Sequence, residues 1–263
     1  MTHRTATTAS AAVPELIAAP QGLDTQEQAQ ILRAKRCRML LINGNHPHAE
    51  ALARAEARLS AFYRQVATAY PRHHLFFCAP TAKESAELPQ EELLRAHLRA
   101  ALRLSDGHDL SLLSPILNTT EQLRYMAALT DQALHELCGE ELPVDVTLQQ
   151  GVRLATPAAV IGSRRLLEET DFALIDTDTL AALVFGLPTP STALEQAIAA
   201  DANMLLRLIE IAIGNAHVLH RFVILSGVAA THPLLRPHIL AMGANALVLP
   251  PSLLSAVARQ LHK

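Results

Sequence analysis

Two carboxylates one residue apart, Asp176 and Asp178, close a short apolar run in the segment Asp176-Thr177-Asp178-Thr179, and a second polar pair, Ser226-Gly227, closes another. Acids spaced this way at a strand end can point the same way and hold a cation or share a proton. They can equally cap the turn that follows, and both readings stay open. Asn43 and Asn118 also follow apolar runs and would add neutral amides to the same rim. Ser226-Gly227 lacks the Gly-x-Ser-x-Gly elbow of a hydrolase nucleophile. His46 with His48, and the pair His73-His74, invite a zinc reading, but no Cys or His partners stand at a metal-site spacing beside them. His217 and His220 share one face of an apolar helical run, which favours a structural role.

The elements that must position these groups alternate in type. Short apolar runs at Glu15 to Ala19, Cys37 to Ile42, His74 to Ala79, Leu110 to Pro115, Val152 to Ala155, Phe172 to Ile175, Phe222 to Ser226 and Ala246 to Leu249 predict strands. Helix-forming stretches separate them, near Thr25 to Lys35, His48 to Ala69, Gln90 to Leu104, Thr119 to Cys138, Pro157 to Glu168, Leu194 to His220 and Pro233 to Met242, with Ser252 to Leu261 last. At Thr156-Pro157 a hydroxyl can cap a helix whose first turn tolerates Pro. Leu137 to Gln150 and Phe185 to Thr192, with their Gly and Pro residues, predict loops. Repeated β-α units of this number predict a single (β/α)8 TIM-type barrel, whose chemistry belongs at the carboxyl ends of the strands.

Bulk properties narrow the class. The 263 residues are half hydrophobic, enough for one large core, and the absence of Trp leaves that core to Leu, Ala, Ile and Val. Positive charges are scattered and the net charge is -3, so neither nucleic acid nor a membrane surface is an expected partner. Cys37, Cys78 and Cys138 form no disulfide framework, which suits a reducing, cytoplasmic setting. Residues 1–12 are Ala/Thr-rich, without the apolar segment of a secretory signal, and are expected to be a disordered tail ahead of a barrel over 13–263.

The motifs then resemble a known family. Ala155-Thr156-Pro157-Ala158-Ala159 and Asp176-Thr177-Asp178-Thr179-Leu180 are similar to the Glu-Thr-Pro-Ala-Ala and Gly-Thr-Asn-Asp-Leu turns of the PEP-utilising enzymes, most closely enzyme I of the bacterial phosphotransferase system. Leu94 to Ser105 resembles that family's Leu-Arg-x-Gln-Leu-Arg-Ala helix, Leu112 to Leu117 its Met-Phe-Pro-Met-Ile strand, Leu225 to Ala229 its Met-Cys-Gly-Glu-Leu segment, and Met242 to Ser252 its last strand and turn. The resemblance implies a phosphoenolpyruvate/pyruvate-type barrel. It also implies that the family's phosphohistidine and carrier-binding domains have no counterpart before Val13, and that its arm after the third strand is reduced to the link from Lys83 to Gln90.

What the resemblance implies for chemistry is mostly loss. The family's Mg2+ ligands fall on Ala155 and Thr179, and its proton-donating Cys falls on Ser226. Its phosphate-binding arginines fall within Met39 to Asn43, within Phe76 to Pro80 and on Thr189, none of them basic. The expectation is a pseudoenzyme with no cofactor, the family Mg2+ site lost and no guanidinium at the mouth, serving as a regulatory, binding or scaffold module. Its implied partner is a second copy or a phosphotransferase-related protein. The alternative is an enzyme acting on PEP, pyruvate or another small carboxylic acid through Asn43, Asn118, Thr156, Asp176, Asp178, Ser226 and Gly227. A mouth plugged by Leu41, Phe77 and the loop from Phe185 to Thr192 would favour the first reading, and converging acids the second.

Overall fold

A computed structural model describes residues 13–20, 25–34, 37–43, 52–79, 90–145 and 147–261. The expected tail over 1–12, the His46/His48 pair and the link from Lys83 to Pro89 lie outside the described residues, as does the side chain of Asn43. Eight parallel strands close on themselves in chain order: β1 Glu15–Ala18, β2 Cys37–Asn43, β3 His74–Cys78, β4 Leu110–Ile116, β5 Gln149–Leu154, β6 Phe172–Asp176, β7 Phe222–Ser226 and β8 Ala246–Leu249. The last strand pairs with the first, Leu16 opposite Leu247 and Ala18 opposite Leu249, so no strand edge is left open. The TIM-type barrel expected from the alternation is therefore the fold.

Strand alternation sorts each side chain to the lumen or to the helices. Ile17, Met39, Phe76, Leu113, Phe172, Leu174, Ile224 and Val248 fill the lumen, and Leu16, Leu40, Leu75, Phe77, Val152, Leu154, Ile175 and Leu225 pack outward. Each such residue contributes roughly 1.5–3 kcal/mol by leaving water. Phe172 takes the space that Gly151 leaves: a Cβ on Gly151 would lie 2.3 Å from the Phe172 ring.

The outer helices are α1 Thr25–Arg33, α2 Leu52–Ala69, α3 Gln90–Leu102, α4 Thr120–Gly139, α5 Pro157–Ile161, α6 Ser163–Glu168, α7 Thr177–Phe185, α8 Thr192–Ala200, α9 Asn203–Val218, α10 Val228–Thr231, α11 Arg236–Met242 and α12 Pro251–Gln260. Thr156 caps α5 as its sequence suggests, its hydroxyl accepting from the Ala159 amide at 3.1 Å with Pro157 in the first turn. Arg99 of α3 ties three helices together, donating to Glu56 of α2 and to Glu136 and Glu140 at the end of α4.

Three expectations about helices are corrected. The single helix expected over Pro157 to Glu168 breaks at Gly162-Ser163, where Ser163 is buried and accepts a bond from Asn215 of α9. The helix expected over Leu194 to His220 is two, because Asp201 adopts an extended backbone and its carboxylate accepts from the Asn203 amide, competing with helix continuation. Residues 177–185, read only as a polar strand end and its sequel, are the helix α7, which stops at Gly186 with φ of 64°.

Candidate functional site

Val152 and Leu154 of β5 face the helices, so Arg153 between them must enter the lumen. There it meets the end of β6. Nε and Nη2 of Arg153 donate to Oδ2 of Asp176 at 3.1 and 2.6 Å, and Nη1 lies 3.6 Å from Sγ of Cys78 at the end of β3. The side chains of Arg153 and Asp176 are only 17 % and 7 % exposed, so water screens the pair weakly. Burial works against the Arg153 charge, but Cys78 and Asp176 outweigh it and hold its pKa above the ordinary value. Burial pushes the Cys78 thiol up, with Arg153 opposing.

Asp176 does two jobs. Its Oδ1 accepts from the Thr179 amide at 3.2 Å, which caps α7, and its Oδ2 also accepts from the Thr179 hydroxyl at 2.9 Å. Asp178 sits one residue into the first turn, and its Oδ1 accepts from the Val228 amide at 2.8 Å. Although Asp178 is exposed at the rim, its carboxyl is tucked against the β7–α10 turn. Burial of that group pushes its pKa up, the Val228 amide pulls it down, and neighbouring Asp176 and Arg153 act in opposite directions. Thr177 stitches the same two strand ends, donating to the Ser226 carbonyl and accepting from the Ala229 amide.

Asp176, Asp178, Thr179, Ser226 and Gly227 thus come together. Ser226 spends its hydroxyl on the Ile175 carbonyl at 3.4 Å, with no acid or base among the described residues activating it. Asn118 and Thr156 form a separate pair in which the Thr156 hydroxyl donates to Asn118 Oδ1, one loop away, where Thr156 also caps α5. Ala155 is fully buried and offers only a methyl group. Phe77 points to the helices, where its ring meets Tyr63 at a tilt of 44°, and is no plug for the mouth, whereas Leu41 packs into the lumen cluster.

The expectation of a mouth without guanidinium is corrected by Arg153. Arg153 aligns with none of the family's phosphate-binding arginines, so the resemblance does not point to it. The available signal was a lone cation inside an apolar strand, on the parity that faces the lumen. Among the described residues no group of three or more His, Cys, Asp or Glu is arranged to hold a metal ion.

Residues 85–263 match the family described as PEP-utilising enzyme, PEP-binding domain. The chain belongs to that family. Among relatives of the PEP-utilising barrel, the phosphoenolpyruvate-protein phosphotransferase of Haemophilus influenzae is 34 % identical over 93 residues, covering 35 % of this chain and 16 % of that protein. The one from Geobacillus stearothermophilus is 24 % identical over 176 residues, covering 67 % of this chain and 30 % of that protein. The chain therefore spans less than a third of these relatives. A solved structure of a HpcH/Hpal aldolase/citrate lyase family protein from Burkholderia cenocepacia covers 95 % of this chain and 94 % of its own at a TM-score of 0.58 and 16 % identity, a likeness of fold.

Proposed function

We propose that this PEP-utilising-enzyme barrel is enzyme I-like in ancestry but does not run PEP and Mg2+ chemistry, and that it acts as a regulatory, binding or scaffold module. The observation that carries the reading is the commitment of Asp176. Its carboxylate is already engaged by Arg153 and by both donors of Thr179. The donor set does not suit the family's cation either: at the two aligned positions Ala155 has no donor atom, and Thr179 spends its hydroxyl proton on Asp176. A trianion such as PEP would face two acids against one guanidinium that is already paired, which disfavours its entry.

A second reading has two observations in its favour. Arg153 is a fixed lumen cation beside Cys78, and Asp178 has a raised pKa that would suit a proton donor at the rim. If a ligand carboxylate displaced Asp176 from Arg153, the mouth could hold pyruvate or a related acid. The proposed partners are a second copy or a phosphotransferase-related protein, in the cytoplasm; no described helix is long and apolar enough to cross a membrane.

The deciding measurement is thermal unfolding of the purified chain with PEP, pyruvate and oxalate, with and without Mg2+, run beside an assay for PEP turnover. The first reading expects no Mg2+-dependent rise in Tm with PEP and no turnover. Mg2+-dependent consumption of PEP would overturn it, and a Tm rise with pyruvate or oxalate that vanishes in Arg153→Met would favour the second.

A further inference from the structure

The opposite, N-terminal end of a TIM barrel ordinarily contributes stability and no ligand site. Here it holds a cavity of about 460 Å3. That size is within the range of small-molecule sites. Its floor is apolar and aromatic: Met39, Phe76 and Phe172 are nearly buried, Phe222 is partly exposed, and Phe76 and Phe172 meet edge to face at 5.2 Å.

The rim carries charges of both signs. Glu15 opens β1, Arg38 is the second residue of the neighbouring β2, Arg72 precedes β3, and Asp171 precedes β6, all four exposed and lining the cavity. Glu15, Arg38 and Arg72 have no side-chain hydrogen bond or ion pair with any described residue. Asp171 accepts from the Gln150 amide through Oδ2, and its Oδ1 has no partner among the described residues. Charges of both signs thus ring one cavity, Glu15 and Arg38 from adjacent strands and Asp171 from the far side of the barrel, with no ion pair among them, which suits a ligand that bears both.

A built polar wall completes the cavity. His74 Nδ1 lies 2.7 Å from Asp109 Oδ1 and its Nε2 lies 2.9 Å from Ser111 Oγ. Aspartate holding one nitrogen fixes the ring, so His74 presents a set edge to the cavity. The same three residue types form hydrolase triads, but Ser111 is fully buried and does not line the cavity, so no bound carbonyl can reach it.

We propose that this N-terminal cavity binds a zwitterionic α-amino acid with a large apolar or aromatic side chain, its side chain on the Phe floor, its carboxylate toward Arg38 and Arg72, and its ammonium toward Glu15 and Asp171. The site lies at the other end of the barrel from Arg153 and Asp176 and is independent of what the mouth there does.

Isothermal titration calorimetry of the full chain with L-phenylalanine tests it, beside phenethylamine, 3-phenylpropionate and glycine, which lack the carboxylate, the ammonium and the side chain in turn. Saturable binding of L-phenylalanine is expected, at least tenfold weaker for each of the three analogues. The exposed double variant Arg38→Gln/Arg72→Gln, with an unchanged melting temperature, is expected to weaken it at least tenfold as well. The chain has no Trp, so Phe222→Trp places a single reporter in the floor, and its emission should shift on titration. No saturable heat, equal binding of 3-phenylpropionate, full binding by the double variant, or an unmoved Trp emission would each overturn the proposal.

Discussion

A Cβ placed on Gly227 would lie 2.7 Å from both the Cγ and the backbone nitrogen of Asp178. Gly227 also holds φ of 85° and ψ of -153°, a region that side chains avoid. The turn that brings the β7 end onto the Asp cluster therefore depends on having no side chain there. Gly227→Ala should destabilise the fold by about 2–3 kcal/mol, combining backbone strain with a clash against main chain. Urea unfolding would measure it. Asp178→Ala should not rescue the variant, because the clash with the Asp178 nitrogen remains.

Removing one half of the lumen ion pair strands the other in a dry setting. Arg153→Met should cost about 3–5 kcal/mol, while Arg153→Met/Asp176→Asn should cost clearly less than the two single changes summed. A double-mutant cycle by chemical denaturation reads the coupling. Additive effects would mean that the pair contributes little.

His97 gives the chain an acid-sensitive core. Its ring is fully buried 2.6 Å from Tyr63 Oη, and burial holds its pKa down to about 3. Unfolded, the same group titrates near about 6.5, so between those values the unfolded chain binds the extra proton and stability falls as the pH drops. One such group contributes a slope of at most about 1.4 kcal/mol per pH unit. His97→Gln, which keeps a partner for Tyr63, should flatten the decline from pH 6.5 to pH 4 relative to wild type, as followed by urea midpoints at several pH values.

The cap at Thr156 is a local and cheaper feature. Thr156→Ala removes the bond to the Ala159 amide and the contact to Asn118, and should cost about 1 kcal/mol. Thr156→Ser should recover most of it. The melting temperature distinguishes the two.

Much of this was legible before any coordinates. The eight strands fall within a few residues of the apolar runs that mark them, because a strand buried on both faces leaves a continuous apolar trace and helices with their capping signals must separate such runs. The clustering of Asp176, Asp178, Thr179, Ser226 and Gly227 followed from strand ends that neighbour each other in sequence order around a barrel. Helix α7 was missed because its start carries Asp and Thr residues that look like a turn until Asp176 is seen capping it.

The sequence by itself determined the architecture and family, since period, capping and motif order are local or near-local properties of the chain. Only the tertiary structure decided which charges meet. Arg153 and Asp176 lie on adjacent strands, but Cys78 is far from both in sequence and meets Arg153 from β3, two strands away. At the other end, Glu15, Arg38, Arg72 and Asp171 come from four separate strand starts, and closure of the barrel alone gathers them over one aromatic floor. Long-range juxtaposition across a closed sheet leaves no mark on local spacing, which is why both charge assemblies had to be seen in three dimensions.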